Sequence, residues 1–248
     1  MRPHNLRAAA GAGLALAVAA CAPRTAPMGQ PPVPVAASVR NDIHWFRASA
    51  EYRGIATEVY RAAGDHLTEL SHRLAPGSWA VILDADETVL DNSLNERRTA
   101  DRHQGFNETE WAAWVRERAA TAIPGAVDFT KRVRTLGGRV VIITNRADSL
   151  CAPTRENLQS VGIDADVVLC QPGAESDKNP RFRKVQEGTA TPGVPPLTVV
   201  EWLGDNIQDF PDLTQAIRNT PDKYAEFGVR YFLLPNPMYG SWTRNQEP

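Results

Sequence analysis

The chain of 248 residues predicts an α/β fold, a parallel β-sheet with helices on both faces. Two observations lead there. Short apolar runs recur at 80–83, 139–143, 165–169, 197–203 and 229–234, with segments of helical spacing between them. Three of those runs end in polar clusters: Asp84-Ala85-Asp86, Thr144-Asn145, and Asp205 with Asp209. Ligands of open α/β sheets bind just beyond the carboxyl ends of the strands, so these clusters mark the expected site.

Hydrophobic residues make up 42% and charged residues 23%, as in an ordinary globular protein. The formal charge of −2 gives no support to a nucleic-acid polymer as partner. Residues 1–20 hold Arg2 and Arg7 and no acid, so removing them takes the charge to −4.

Residues 1–20 read as a leader and not as part of the domain. Met1 to Arg7 is a basic start, and Ala8 to Ala20 is apolar but too short for a good membrane-spanning helix. Val18-Ala19-Ala20-Cys21 resembles a bacterial lipobox. The resemblance implies that Cys21 carries lipid and opens the mature chain. Ala22 stands where an inner-membrane signal carries Asp, which leans towards the outer membrane. Residues 21–37, rich in Pro, Ala and Gly, read as a flexible tether, and 38–243 as the folded domain. Cys151 and Cys170 remain, and the reading leaves open a disulfide or two buried thiols.

Ser38 to Leu74 has helical spacing, with Gly64-Asp65 an expected interruption and Ala75-Pro76-Gly77 a stop. Ala80 to Leu83 is the first strand, continuous enough to be buried on both faces. Leu94 to Ala122 lacks strand character and reads as a helical insert. Asn107 caps a helix there, with Glu110 three residues on, as in a capping box. Trp111 and Trp114 share a face of that helix, as core or as an apolar wall over the site. Beyond Pro124-Gly125, helices are expected over 126–136, 149–161 and part of 177–188. Gly137-Gly138 and Gly162 end the first two. Tyr239 lies in a turn-rich tail with less core to join.

Asp84 and Asp86, two apart in extended chain, should project the same way. Crowded carboxylates repel, so they need a cation or a shared proton. Asp205 and Asp209 share a face if a helix begins there. Lys178 stands near a helix start between the second and third clusters. The set suits phosphoryl transfer. One carboxylate can attack phosphorus, another can protonate the leaving oxygen, and a divalent cation can neutralise charge.

The ordered set resembles the haloacid dehalogenase superfamily of phosphohydrolases. Within it, Asp84-Ala85-Asp86-Glu87-Thr88-Val89-Leu90-Asp91-Asn92-Ser93 is similar to the bacterial class C acid phosphatases, which are outer-membrane lipoprotein nucleotidases. Ile123-Pro124-Gly125, Thr144-Asn145-Arg146, Gly204-Asp205-Asn206 and Tyr239-Gly240 fit in order. The resemblance implies a Rossmann-like sheet with a small helical cap and hydrolysis of phosphate monoesters, nucleoside 5′-monophosphates above all. It implies Asp84 as nucleophile and Asp86 as general acid and base. Mg²⁺ would be held by Asp84, the Asp86 carbonyl and Asp205, with Asp209 behind them. Thr144, Asn145 and Lys178 would bind phosphate. The family shows Lys-Ser where this chain has Lys178-Asn179, which leaves Lys184 as the alternative. Trp111, Trp114 and Tyr239 are the candidates for the aromatic substrate wall, with Trp114 the one expected in the core. The alternative function is a lipoprotein that binds a nucleotide or cofactor for uptake without hydrolysing it.

Overall fold

The computed structural model describes residues 40–247. The expected leader and tether, with Cys21, lie outside the described residues. The helical spacing after Ser38 becomes two helices, α1 (Asn41–Ala48) and α2 (Ala50–Ser71). Ser49 breaks them, its hydroxyl accepting from the Tyr52 N–H to cap α2. The interruption expected at Gly64-Asp65 does not occur, and α2 runs through it. Gly64 serves a close approach instead: a Cβ there would meet Arg132 Nη1 at 2.7 Å.

β1 (Trp79–Leu83) is buried at every position, as its unbroken apolar run requires. A loop and a two-residue strand, β2 (Leu90–Asp91), lead into the insert, α3 (Ser93–Asp101) and α4 (Glu108–Glu117). Asn107 caps α4, accepting from Thr109 and Glu110 N–H. Glu110 does not complete the capping box, because its carboxylate pairs with Arg102 at 2.6 Å. The insert is not wholly free of strand. β3 (Thr121–Ala122) pairs antiparallel with β2 and closes the insert back onto the domain.

The chain then alternates: α5 (Ala126–Thr135), β4 (Arg139–Ala147), α6 (Cys151–Ser160), β5 (Val167–Gln171), α7 (Asn179–Glu187), β6 (Thr198–Gly204) and β7 (Tyr231–Leu233). The sheet order is β5-β4-β1-β6-β7, and every neighbouring pair is parallel. The chain therefore leaves β1 for β4 on one side and returns to β6 on the other. That reversal opens a crevice at the carboxyl end of β1.

Strand alternation sends side chains to two cores. Val81 and Leu83 face α2, α5 and α6, with Tyr60, Leu67, Phe129 and Leu158. Ile82 faces Phe182 and Val185 of α7, with Trp202, Phe210 and Tyr231. A disulfide joins Cys151 at the start of α6 to Cys170 on β5, which settles the question left open by the sequence. Among the described residues, no helix is long and apolar enough to cross a membrane.

Candidate active site

The crevice is built from the strand ends. β1 delivers Asp84, whose backbone N–H still bonds to Leu203 of β6. The chain then turns sharply through Glu87, at φ 53°. Glu87 is fully buried, and its Oε1 accepts the Asn92 N–H at 2.7 Å, which closes the loop on itself.

β6 ends at Gly204, and Asp205 follows. The helix expected over Asp205 and Asp209 is a single 3₁₀ turn, Ile207–Asp209. Asn206 caps it, and Asp209 Oδ2 accepts from the Asn206 N–H at 2.8 Å. Gly204 is needed here: a Cβ would lie 2.3 Å from Asp209 Cβ. Carboxylate oxygens of Asp84, Asp205 and Asp209 all lie within 4.8 Å of one another. Asp205 is steadied by Thr88 at 3.2 Å and by the Asn236 amide at 2.8 Å.

Lys178, at the N-terminal end of α7, enters this cluster. Its ammonium donates to Asp84 Oδ1 at 2.5 Å and to Asp209 Oδ1 at 2.6 Å. The alternative, Lys184, sits on an exposed face of α7. One ammonium thus faces three acids. Burial pushes the Asp84 carboxyl up to about 7; Lys178 opposes the shift, and Asp209 and Asp86 add to it. Burial also drives Asp205 well above the usual carboxylate range, with Asp209 and Asp84 adding repulsion. Burial works against the Lys178 charge, yet Asp209 and Asp84 outweigh it and raise its pKa. A buried surplus of negative oxygens suits a hard divalent cation, and the donor set is all oxygen.

Asp86 stands apart from that cluster. Its carboxylate turns to Arg146 at 2.7 Å and to the Asn92 amide at 2.8 Å, so any part in holding metal falls to its backbone. Thr144 is fully buried within β4, which runs past the expected stop to Ala147, and its hydroxyl accepts the Arg146 N–H at 3.1 Å. Asn145 is exposed, and its amide donates to Ser176 O at 3.0 Å. Arg181 ties Lys178's helix to β4, donating to Thr144 O at 2.6 Å and to Asn145 Oδ1 at 2.5 Å.

A cavity of about 530 Å³ opens over Asp86. Trp111, Tyr239 and Phe106 supply its aromatic surface, and Arg146, Arg244 and Glu96 its charges. Trp114 does not line it. It is 2% exposed, and its indole N–H donates to Asn92 Oδ1 at 2.8 Å, so it is core and leaves the list of wall candidates. Arg146, Arg181 and Phe106 join the site without having stood out in the sequence. Arg146 was visible only as the third residue of Thr144-Asn145-Arg146, and Phe106 carried no signal beyond being an aromatic in a polar loop.

The family model for the haloacid dehalogenase superfamily, subfamily IIIB (acid phosphatase), matches residues 8–242. The chain belongs to this family. Two solved structures of the class C acid phosphatase from Bacillus anthracis are similar to it, each at 28% identity, covering 82% of this chain and 85% of theirs. Their TM-scores are 0.71 and 0.70, and the second has tungstate bound. Among curated relatives, the stem 31 kDa glycoprotein of Glycine max is 28% identical over 64% of this chain. Acid phosphatase 1 of Solanum lycopersicum is 25% identical over 64%. This chain spans 58% and 57% of the length of those two plant proteins.

Proposed function

We propose that the protein is a divalent-cation-dependent phosphomonoesterase that works through an aspartyl phosphate. One observation carries this: a buried carboxylate, Asp84, sits at a strand end within hydrogen-bond reach of one ammonium and beside two further acids. Tungstate is a tetrahedral oxyanion of phosphate's shape, and its presence in a similar structure supports a phosphate-like oxyanion as ligand.

Asp84 is the attacking group. Its oxygen bonds to phosphorus as the ester oxygen departs, and Asp86 supplies the proton for that oxygen. Asp86 then takes a proton from the water that splits the acyl phosphate. Lys178 and the Thr144 hydroxyl hold phosphate oxygens, with Asn145 at the rim. Mg²⁺ is the cation we propose, held by Asp84, Asp205 and the Asp86 carbonyl, with Asp209 behind them. When bound, it would neutralise the phosphate charge.

Nucleoside 5′-monophosphates are the proposed substrates, because the aromatic residues Trp111 and Tyr239 line a cavity large enough for a nucleoside. Hydrolysis of an aryl phosphate with and without chelator, followed by a phosphate-release screen over mononucleotides and sugar phosphates, tests both statements. Binding without any hydrolysis would return the uptake lipoprotein instead.

We further propose that residues 1–20 are removed, that 21–37 tether the domain, and that lipid on Cys21 anchors the chain at the outer membrane. Acyl chains anchor at about 0.8 kcal/mol per buried CH₂. Cys21→Ser should then release the protein from the membrane fraction, and an unchanged fraction would contradict the anchor.

A further inference from the structure

Asp86 is gripped by one oxygen. Its Oδ1 accepts from Arg146 Nη2 at 2.7 Å, from Arg146 Nε at 2.9 Å and from Asn92 Nδ2 at 2.8 Å. Among the described residues its Oδ2 has one long contact, with Arg146 Nε at 3.3 Å. A carboxylate so held cannot rotate freely, and its two oxygens are no longer equivalent.

The holders are held in turn. Asn92 is fully buried, and its Oδ1 accepts from Trp114 Nε1 at 2.8 Å and Arg146 Nη2 at 3.1 Å. Those bonds fix which end of its amide faces Asp86. Arg146 is 1% exposed, and its Nη1 donates to Thr154 Oγ1 at 3.3 Å. Its guanidinium lies 5.4 Å from the centre of the Trp111 ring. Trp111 and Trp114 are three apart on α4 and share a face, so the insert braces both holders at once.

We propose that Arg146 and Asn92, braced by Trp111 and Trp114, are positioning residues that present Asp86 Oδ2 to the departing oxygen of the ester. The inference rests on the reading of Asp86 as the proton donor. In the first step the bond from Asp84 to phosphorus forms while the bond from phosphorus to the ester oxygen breaks. The proton on Oδ2 passes to that oxygen. In the second step a water oxygen bonds to phosphorus, its proton returns to Oδ2, and Asp84 is freed.

Proton delivery matters in proportion to the basicity of the leaving oxygen. A nitrophenolate departs without a proton, whereas an alkoxide does not. Positioned proton transfer is worth roughly 10²- to 10⁴-fold in rate. The test compares kcat/KM for p-nitrophenyl phosphate and ethyl phosphate, since kcat/KM covers the step in which the leaving group departs. Arg146→Gln should lose at least about 100-fold more on ethyl phosphate than on the aryl ester. Trp114→Phe, which keeps a ring but removes the N–H, should show a smaller selective loss of about tenfold. Arg146→Lys should recover part of the difference. Equal losses on both esters in folded variants would overturn the proposal, since a merely structural role has no reason to sense the leaving group. If Arg146→Gln fails to fold, Trp114→Phe decides alone, and an unselective loss there overturns the proposal. A wild type inactive on both esters would overturn the proposed function and this inference with it.

Discussion

Lys178 reaches Asp84 across 94 positions of sequence and hydrogen-bonds its Oδ1 at 2.5 Å. The same ammonium bonds Asp209, so a single charge offsets two buried acids. Lys178→Met would leave both carboxylates uncompensated, and breaking a buried pair from one side costs about 3–5 kcal/mol. We expect a lower melting temperature and a loss of at least about 100-fold in kcat/KM for an aryl phosphate, the scale of removing one transition-state donor. Activity within threefold of wild type would remove Lys178 from the phosphate site.

Tyr239 is half-buried at the cavity edge, and Trp242 donates to its carbonyl at 3.1 Å. Stacking on an aromatic ring is worth about 1–3 kcal/mol per base, or about 5- to 150-fold in affinity. Tyr239→Ala should raise KM for a nucleoside monophosphate by that factor and leave ethyl phosphate unaffected. Equal losses on both, with a lower melting temperature, would make the ring a packing residue.

The sequence showed the strand ends because a buried parallel strand must be apolar until it meets the crevice. Asp84 and Asp205 mark those stops, and Thr144 marks where β4 turns polar, three residues before its end. Lys178 stands at the start of α7 with Pro180 in the first turn, where the missing N–H costs nothing. Arg146 and Arg181 were not legible. A basic residue in a sequence reads as a solvated surface charge, and only the fold shows one buried against Asp86 and the other against Thr144. The disulfide was undecided for the same reason, since pairing depends on how β5 and α6 pack. Gly64 looked like a helix break because a glycine's role in letting Arg132 approach is invisible without its neighbour.

The Cys151–Cys170 bridge closes a loop of sequence separation 19 and ties β5 to the helix that carries Thr154. A loop of that size is worth about 3 kcal/mol in the chain-entropy model. The double variant Cys151→Ala, Cys170→Ala should lose about that much in denaturant unfolding, and wild type should match it under reductant. Unchanged stability in both would show that the bridge contributes nothing.

Glu201 lies fully buried on β6, its Oε1 bonded to His66 Nδ1 at 2.7 Å and its Oε2 without a partner among the described residues. Burial pushes its carboxyl up to about 9 from 4.5. The folded state then holds a proton that the unfolded state has lost, so this group's stability contribution is complete below about 4.5 and drains away as pH rises towards 9. The slope is at most about 1.4 kcal/mol per pH unit. Glu201→Gln should flatten the decline in melting temperature between those limits. Parallel curves for the two proteins would show that Glu201 does not carry it.

In the proposed reaction the Asp84 carboxylate attacks phosphorus. Turnover of p-nitrophenyl phosphate by wild type and by Asp84→Asn, each with magnesium, measures it most directly. An amide is a poor nucleophile, and phosphate-ester hydrolysis is among the slowest uncatalysed reactions, so the variant should fall by several orders of magnitude. A variant that keeps its fold and turns over within about tenfold of wild type, a difference of only about 1.4 kcal/mol in barrier, would contradict the account.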